Sequence, residues 1–267
     1  MPNLSISTAA QFSKAIDDRN ALNNIVDVTF FVPCYNEENA IRATLEKICK
    51  VAKESNLSYE ILVCDDCSSD NSVNEVEDFA SQNPNVFLRI NQNSLNRGLG
   101  HNYLSCAHDA VGKYYIMVCG DDSETEESLI DILAARGKAE IVVPYFDKDT
   151  RTIGRRITSF LFTNIVNLLG GFNLKYYNGV VLHLRENVTR CAPSSSGFGY
   201  QAELLTILLH EGTSFIHIPI SNKDRESGIS RAFRLQNIAS VGHSLLQILL
   251  RRIRCIIWPV NPHHQKS

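Results

Sequence analysis

The sequence has little net charge, which argues against one large class of functions. Its 267 residues contain 26 Lys and Arg against 29 Asp and Glu, for a formal net charge of -3. Proteins that bind nucleic acids through their overall field carry a strong positive excess. We therefore expect no nucleic-acid partner for this chain.

Long apolar runs and zinc-like cysteine pairs are also missing. No stretch reaches the roughly 18 uncharged apolar residues that a bilayer-spanning helix needs, and the first residues lack the pattern of a signal peptide. The eight cysteines are scattered, and the C-x-x-C of Cys64 and Cys67 has no second pair at zinc spacing. These features predict free thiols in a reducing cytoplasm and no membrane-spanning helix.

Short apolar runs alternate with helix-like segments along most of the chain. A run such as Val28–Pro33, bounded by turn residues, is typical of a strand buried on both faces. The alternation predicts an α/β fold in which helices flank one mostly parallel, Rossmann-like sheet. We expect this domain over residues 27–232, after a leader helix over residues 1–26. An amphipathic helix and tail are expected over residues 233–267.

Two of the apolar runs end in a pair of adjacent aspartates. The pairs are Asp65 and Asp66 after the run 61–64, and Asp121 and Asp122, which follow the run 115–119 through Gly120. Parallel strands end at the edge where open α/β sheets bind ligands. Converging carboxylates repel one another unless a cation lies between them, so the pattern indicates a divalent metal and a nucleoside diphosphate. Alternatively, Asp121 and Asp122 cap the helix that begins near Thr125.

Four motifs in the first half resemble those of family 2 glycosyltransferases with the GT-A fold. They are V-P-C-Y-N-E-E (32–38), D-D-C-S-S-D (65–70), N-R-G-L-G (96–100) and G-D-D (120–122), which resemble V-P-x-Y-N-E-E, D-D-x-S-x-D, N-x-G-x-G and D-x-D. The segments 197–205, 218–220 and 225–230 resemble the dolichyl- and polyprenyl-phosphate sugar transferase branch, whose last loop reads R-x-x-G-x-S. The resemblance covers about residues 27 to 232, and Gly120 departs from it by replacing the first aspartate of D-x-D.

The resemblance implies a site for the donor nucleotide and a Mg²⁺ or Mn²⁺ ion. It implies donor contacts from Pro33, Tyr35, Glu37, Asp65, Asp66, Arg97, Gly98 and Asp121, and metal contacts from Asp121 and Asp122. Asp122 aligns with the last aspartate of the metal motif. Tyr35 is able to stack on the base, although ordinary edge packing is the alternative. For Glu37 the alternative is a favourable charge in the first turn of the next helix.

The acceptor site is expected to contain arginines. Candidates are Arg225 and Ser230 in the polar loop, supported by Arg155, Arg156 and Arg231, because a guanidinium binds a phosphate in bidentate fashion. A lipid-phosphate acceptor is already ionised near neutral pH and needs no strong base. A hydroxyl acceptor needs one, and Glu203 is the candidate, unless it only orients a neighbour. The predicted catalytic residues are Asp122, Glu203 and Arg225.

The last predicted helix, over residues 233–258, is amphipathic and locally basic. Ile238, Leu245, Leu249, Ile253 and Ile256 repeat at helical spacing, and six arginines lie between residues 225 and 254 against the single acid Glu226. This pattern favours a helix lying in a membrane interface with anionic lipids. The alternative is a helix packed on the domain or in a dimer.

Together with these patterns, the resemblance implies an inverting, metal-dependent glycosyltransferase at the cytoplasmic face of a membrane. Its donor is a UDP- or GDP-linked sugar, and its acceptor is a polyprenyl-type lipid phosphate. One alternative is transfer to a hydroxyl of a polysaccharide or glycolipid. Another, encouraged by Gly120, is a non-catalytic nucleotide-binding protein.

Overall fold

A computed structural model describes residues 26–149, 151–197, 199–221 and 235–258. The leader helix predicted over residues 1–26 falls outside the described residues except for its last position. The predicted acceptor residues Arg225, Ser230 and Arg231 also lie outside them, as does the tail after residue 258.

Seven strands form a single, mostly parallel sheet. They are β1 (Val26–Cys34), β2 (Tyr59–Asp65), β3 (Leu88–Gln92), β4 (Gly112–Met117), β5 (Ile141–Lys148), β6 (Leu182–Leu184) and β7 (Phe215–Ser221). The strand order is β3-β2-β1-β4-β6-β5-β7. Only the short strand β6 runs antiparallel to its neighbours β4 and β5 within this described sheet. The predicted α/β class is therefore confirmed.

Eight helices are described, and all but one match a segment with predicted helical spacing. They are α1 (Ile41–Glu54), α2 (Ser72–Gln82), α3 (Leu99–Asp109), α4 (Glu126–Ala134), α5 (Ile153–Gly170), α6 (Arg185–Thr189), α7 (Tyr200–His210) and α8 (Leu235–Ile257). The short α6 was not predicted, because five residues are too few for a periodic pattern.

The sheet separates two hydrophobic cores. Successive residues of a strand point to opposite faces, so Phe30 and Val32 pack into one core and Phe31 into the other. Helices α1, α2 and α4 cover the first face, whereas α3, α5, α6, α7 and α8 contribute to the second. Burial on both faces explains why the strands read as continuous apolar runs.

The parallel register brings the predicted motifs to one edge of the sheet. Pro33 of β1 lies opposite Cys64 of β2, and Cys34 lies opposite Asp65. On the other side of β1, Phe31 lies opposite Met117 of β4. The segments that follow β2 and β4 therefore flank the end of β1.

Helices α5 and α8 differ from a simple core-facing amphipathic helix. In α5 the apolar residues at helical spacing point outward, and the buried positions are Thr163, Val166 and Gly170. Helix α8 packs against α5 and α7, with Ser244 and Ile248 fully buried. One side of α8 is thus packed on the domain. None of the helices within the described ranges combines the length and apolar character required to cross a bilayer.

Candidate active site

The loops after β1 and β2 are joined by hydrogen bonds. The Asn36 amide donates to Ser68 Oγ over 2.9 Å, and the Ser69 amide donates to Asn36 Oδ1 over 2.8 Å. The Glu37 amide donates to Ser72 Oγ over 2.8 Å. These contacts hold the two predicted donor motifs side by side, with Tyr35 37% exposed at the edge of the sheet.

Asp65 and Asp66 have different partners although they are adjacent. Asp65 is buried; its Oδ2 accepts the Ser68 amide over 3.1 Å, while its buried Oδ1 has no hydrogen-bond partner among the described residues. Asp66 accepts from the amides of Arg97, at 2.8 Å, and Gly98, at 3.0 Å. Burial opposes its ionisation, but hydrogen bonds led by that from Asn102 outweigh it and lower the pKa of Asp66.

The segment before α3 is therefore held by Asp66. The amides of Arg97 and Gly98 are engaged by the Asp66 carboxylate rather than directed at a ligand, and the Arg97 guanidinium lies 3.2 Å from His101 Nε2. Gly98 has a φ of +88°, and a Cβ there would lie 2.8 Å from the Ser196 carbonyl oxygen. This position requires glycine for both reasons. The donor contacts implied for Arg97 and Gly98 stay a prediction.

Side chains of α1 hold the loop after β4 in place. Lys47 Nζ forms an ion pair with Asp122 Oδ1 at 2.5 Å, without the alignment of a hydrogen bond. The Asp122 amide donates to Thr44 Oγ1 over 3.1 Å, and Thr44 Oγ1 donates to the Cys119 carbonyl over 3.3 Å. Neither Lys47 nor Thr44 was predicted as a site residue. The sequence feature that could have indicated them is the presence of two polar residues beside the apolar stripe of a helix.

The alternative in which the aspartates cap α4 does not describe the structure. Thr125 is the N-cap residue, and its side chain accepts from the Ser128 amide over 3.2 Å. Asp122 has a left-handed φ of +57° and contacts α1 instead. Helix capping therefore does not account for the acidic pair.

Three side chains of this loop form a group suited to a metal ion. Ligand atoms of Cys119, Asp121 and Glu124 lie within 4.8 Å of one another. Glu124 Oε2 is buried without a hydrogen-bond partner among the described residues, and burial raises the pKa of Glu124 to about 7. A buried carboxylate oxygen without a hydrogen-bond partner is costly in free energy, and binding a cation would remove that cost. Of the two predicted metal ligands, Asp121 belongs to this group, whereas Asp122 pairs with Lys47.

Gly120 is explained by close approach of the backbone. A Cβ at this position would lie 2.8 Å from the Pro33 carbonyl oxygen, which no ordinary side chain tolerates. The departure from D-x-D therefore reflects the packing of the loop on β1. The side chains with metal-binding atoms stand on either side of it, at Cys119 and Asp121.

Glu203 is held by hydrogen bonds inside the domain. It is 1% exposed on α7. Its Oε1 accepts the Ser194 amide over 2.9 Å, and Ser194 Oγ lies 3.2 Å from Oε2. Ser194 Oγ also lies 3.0 Å from Nε2 of His243 on α8. This network fits the interpretation in which Glu203 orients its neighbours.

One cavity brings the loop after β4 and a predicted acceptor residue together. It measures about 180 Å³, and its lining includes Cys119 and Glu124 of the cluster together with Arg155. Gln201 of α7 donates to the Gly179 carbonyl over 2.7 Å and so fixes another part of the lining. The cavity thus joins acidic and basic groups at the end of β4.

A groove of about 680 Å³ lies beside this cavity, along α5. The predicted acceptor residue Arg156 lines it with Lys175. Arg151, which was not predicted, lines both spaces. It pairs with Asp149 at 2.7 Å, donates to the Tyr176 hydroxyl over 3.0 Å and lies 4.3 Å from the Phe146 ring centroid.

The family can be assigned from sequence comparison. The model of the family described as glycosyl transferase family 2 matches residues 29–190. This chain belongs to that family. The resemblance seen in the motifs is confirmed, including its branch: similar proteins include polyprenyl-phosphate sugar transferases.

Two such relatives illustrate the similarity. An undecaprenyl-phosphate mannosyltransferase of Micrococcus luteus is 24% identical over 216 residues, which are 76% of this chain and 86% of the relative. A dolichyl-phosphate beta-glucosyltransferase of Dictyostelium discoideum is 29% identical over 116 residues, 42% of this chain and 35% of the relative. The match therefore spans only about a third of the second protein.

Solved structures show the same fold. The mannosyltransferase PcManGT from Pyrobaculum calidifontis, solved with GDP-Man and Mn²⁺, has a TM-score of 0.60 and 18% identity. The match includes 87% of this chain and 65% of that chain. Glucosyl-3-phosphoglycerate synthase from Mycobacterium tuberculosis, solved with Mn²⁺, UDP and phosphoglyceric acid, has a TM-score of 0.64 and 14% identity over 94% of this chain and 84% of that one. The predicted GT-A fold is confirmed.

Proposed function

We propose that this family 2 glycosyltransferase is an inverting, metal-dependent enzyme. It moves one sugar from a UDP- or GDP-linked donor to a polyprenyl-type lipid phosphate. The observation that carries the proposal is the cavity in which Cys119 and Glu124 face the same space as Arg155. Relatives named undecaprenyl-phosphate and dolichyl-phosphate transferases support the choice of acceptor.

The donor nucleotide binds at the hydrogen-bonded loops after β1 and β2. Asp65 Oδ1 has no partner among the described residues, so an N–H or O–H group of the nucleotide restores a hydrogen bond that the folded chain lacks. Tyr35 covers the base from the exposed edge. Asp66 contributes by holding the segment before α3 in place.

The residues present fit a divalent cation at Cys119, Asp121 and Glu124. When bound, Mg²⁺ or Mn²⁺ would supply positive charge that stabilises the diphosphate leaving group. The carboxylates suit either ion, whereas the thiol favours the softer Mn²⁺ over Mg²⁺. The role of Asp122 as a further ligand stays a prediction that competes with its ion pair to Lys47.

The acceptor phosphate reacts without a protein base. Its oxygen attacks the anomeric carbon from the side opposite the leaving diphosphate, so a C–O bond to the acceptor forms while the C–O bond to the diphosphate breaks. The nucleoside diphosphate keeps that electron pair, and the configuration inverts. A phosphate monoester has a second pKa of about 6 and is ionised at neutral pH, so Arg155 and Arg156 have only to bind and orient it.

Glu203 bears on the choice between acceptors. Transfer to a hydroxyl needs a base with a free oxygen, and both Glu203 oxygens contact Ser194. This arrangement supports the lipid phosphate over the hydroxyl of a polysaccharide or glycolipid. The acceptor also implies work at a membrane, and we place the enzyme peripherally at the cytoplasmic face, with α8 contributing contact.

The transfer assay that tests this function uses the purified full chain. Radiolabelled UDP- and GDP-sugars are incubated with a polyprenyl phosphate in detergent, with Mn²⁺ or with a chelator. We expect label in the lipid fraction with one donor and its loss with chelator. Nucleotide binding without transfer to any acceptor would instead favour the non-catalytic alternative.

A further inference from the structure

Helix α5 presents a row of large apolar side chains to solvent along its whole length. Their exposed fractions run from 43% to 74%. They recur every three or four residues, which places them on one face, and they are Ile153, Ile157, Phe160, Leu161, Ile165 and Leu168. Exposed apolar patches of this extent mark interaction surfaces on folded proteins.

Helix α8 carries a second row beside the first. Leu246, Leu250, Ile253 and Ile257 recur at helical spacing and are exposed, as is Trp258. The two helices touch where Arg252 Nη1 donates to the Leu168 carbonyl oxygen. The apolar rows therefore adjoin at the C-terminal end of α5. We call the exposed residues of the two rows the α5–α8 surface.

The charges of these helices have one sign. The sequences of α5 and α8 contain five arginines and no acidic residue: Arg155, Arg156, Arg251, Arg252 and Arg254. Of the five, Arg156 and Arg254 are exposed. Apolar side chains beside exposed arginines complement an anionic lipid surface, because the apolar groups enter the acyl boundary and the arginines meet the head groups. A second copy of the same surface would bring like charges together.

We propose that the α5–α8 surface docks the enzyme on an anionic bilayer, with α5 as the principal contact. Neither helix is long and apolar enough to cross the membrane, so both lie on it. The groove beside α5 is lined by Ile153, Ile157 and Phe160 as well as Arg156, so docking turns its mouth to the lipids. The purpose of docking rests on the proposed function, whereas the docking itself does not.

Vesicle co-sedimentation of the full chain without nucleotide sugar tests the surface. The vesicles contain phosphatidylcholine alone or with about 30% phosphatidylglycerol. We expect binding to the mixed vesicles, and a loss of about fivefold or more in partitioning for Phe160→Ser and for Leu161→Ser, because each removes buried apolar area. Arg254→Gln should weaken binding to mixed vesicles about fivefold and leave binding to neutral vesicles unchanged.

Matched controls come from exposed apolar residues outside the surface. Leu95 is 57% exposed against 54% for Leu161, so Leu95→Ser removes similar area and should not change vesicle binding. Phe87→Ser is a second control of the same residue type as Phe160→Ser, although Phe87 is less exposed, at 40% against 67%. Thermal unfolding verifies that each variant is folded. Equal losses for Leu95→Ser and Leu161→Ser would overturn the proposal.

Two other occupants of the α5–α8 surface would give different results in these experiments. If Leu161→Ser turns a dimer into a monomer in sedimentation equilibrium without affecting vesicle binding, the surface joins two copies and the proposal fails. It also fails if neither α5 variant changes vesicle binding, as expected where another segment of the chain covers the surface. A wild-type chain that binds vesicles but transfers no sugar would refute only the proposed reaction.

Discussion

Lys47 of α1 and Asp122 of the loop after β4 form an ion pair at 2.5 Å, and the Lys47 side chain is only 9% exposed. Lys47 Nζ also donates to the carbonyl oxygens of Asp122 and Glu124. The pair therefore fixes the loop from which Asp121 and Glu124 project. It connects the first core-facing helix to the candidate metal site.

Asp122→Asn should lower the free energy of unfolding by about 1 to 2 kcal/mol, because it leaves the largely buried ammonium of Lys47 without its counter-charge. Urea unfolding measures the change. The control is Glu126→Gln, which removes the partner of Lys50. That lysine is 55% exposed, so solvent screens its ion pair and the loss should be clearly smaller than in Asp122→Asn. Equal losses in the two variants would contradict a special role for Lys47.

Metal affinity should separate the two aspartates of the loop. Asp121→Asn and Glu124→Gln should each weaken Mn²⁺ binding about tenfold or more, since each removes a ligand atom of the cluster. Asp122→Asn should change it less than about threefold. Isothermal titration with Mn²⁺ in excess nucleoside diphosphate provides the measurement. If Asp122→Asn loses as much affinity as Asp121→Asn, then Asp122 is a ligand, as the sequence predicts.

Cys119 should set the preference between metals. Cys119→Asp replaces a soft sulfur by a hard oxygen ligand, so we expect Mg²⁺ affinity to rise relative to Mn²⁺. The same titration, repeated with each ion, gives the ratio. Cys67→Asp is the matched control, because Cys67 is an exposed thiol outside the cluster. An unchanged ratio in Cys119→Asp would remove the thiol from the site.

Asp65 and Asp66 should respond differently to the same substitution. Asp66→Asn weakens charged hydrogen bonds to two amides, so we expect a loss of about 2 kcal/mol in the free energy of unfolding. Asp65→Asn should lower the free energy of unfolding by less than about 1 kcal/mol but weaken nucleotide binding about tenfold. The reason is that Asp65 Oδ1, which lacks a hydrogen-bond partner among the described residues, is the atom that would accept from the nucleotide. Unfolding curves and nucleotide titrations test both. The reverse pattern would contradict the division of roles.

The sequence predicted the elements that depend on local patterns. The strands before Asp65 and Asp121 and the helix bearing Lys47 follow from apolar runs and helical spacing. The pairing of Lys47 with Asp122 could not be predicted, because it joins residues 75 positions apart through packing of α1 under β4. For the same reason spacing alone could not show that the apolar row of α5 faces outward, since periodicity defines a face but not its partner.

Acid should destabilise the protein through His183. This residue is fully buried in β6 with both ring nitrogens unpaired among the described residues, and burial lowers its pKa from 6.5 to about 3. Below pH 6.5 His183 binds a proton in the unfolded chain but stays neutral in the folded chain. The free energy of unfolding therefore falls as pH falls. His183 should lower the free energy of unfolding by about 1.4 kcal/mol for each pH unit below 6.5, which amounts to about 2 kcal/mol at pH 5.

Replacing the imidazole separates this effect from the carboxylates that also titrate in acid. His183→Leu should flatten the dependence of unfolding free energy on pH between 6.5 and 5, whatever its stability at pH 7. His108→Gln, at an exposed position of α3, controls for the loss of a histidine. Parallel stability curves for wild type and His183→Leu would show that the buried imidazole is not the acid-sensitive group.

Glu203→Gln distinguishes the two acceptor classes. Glutamine keeps one oxygen for the Ser194 amide, so the loop before α7 should stay in place. With a lipid-phosphate acceptor, which supplies its own ionised oxygen, we expect transfer within about tenfold of wild type; loss of a general base would cost on the order of 10² to 10⁴. Initial rates at saturating donor, with Glu203→Ala to report structural damage, provide the comparison. If Glu203→Gln binds donor normally but its transfer rate falls a thousandfold, Glu203 is a base, and a hydroxyl becomes the better assignment for the acceptor.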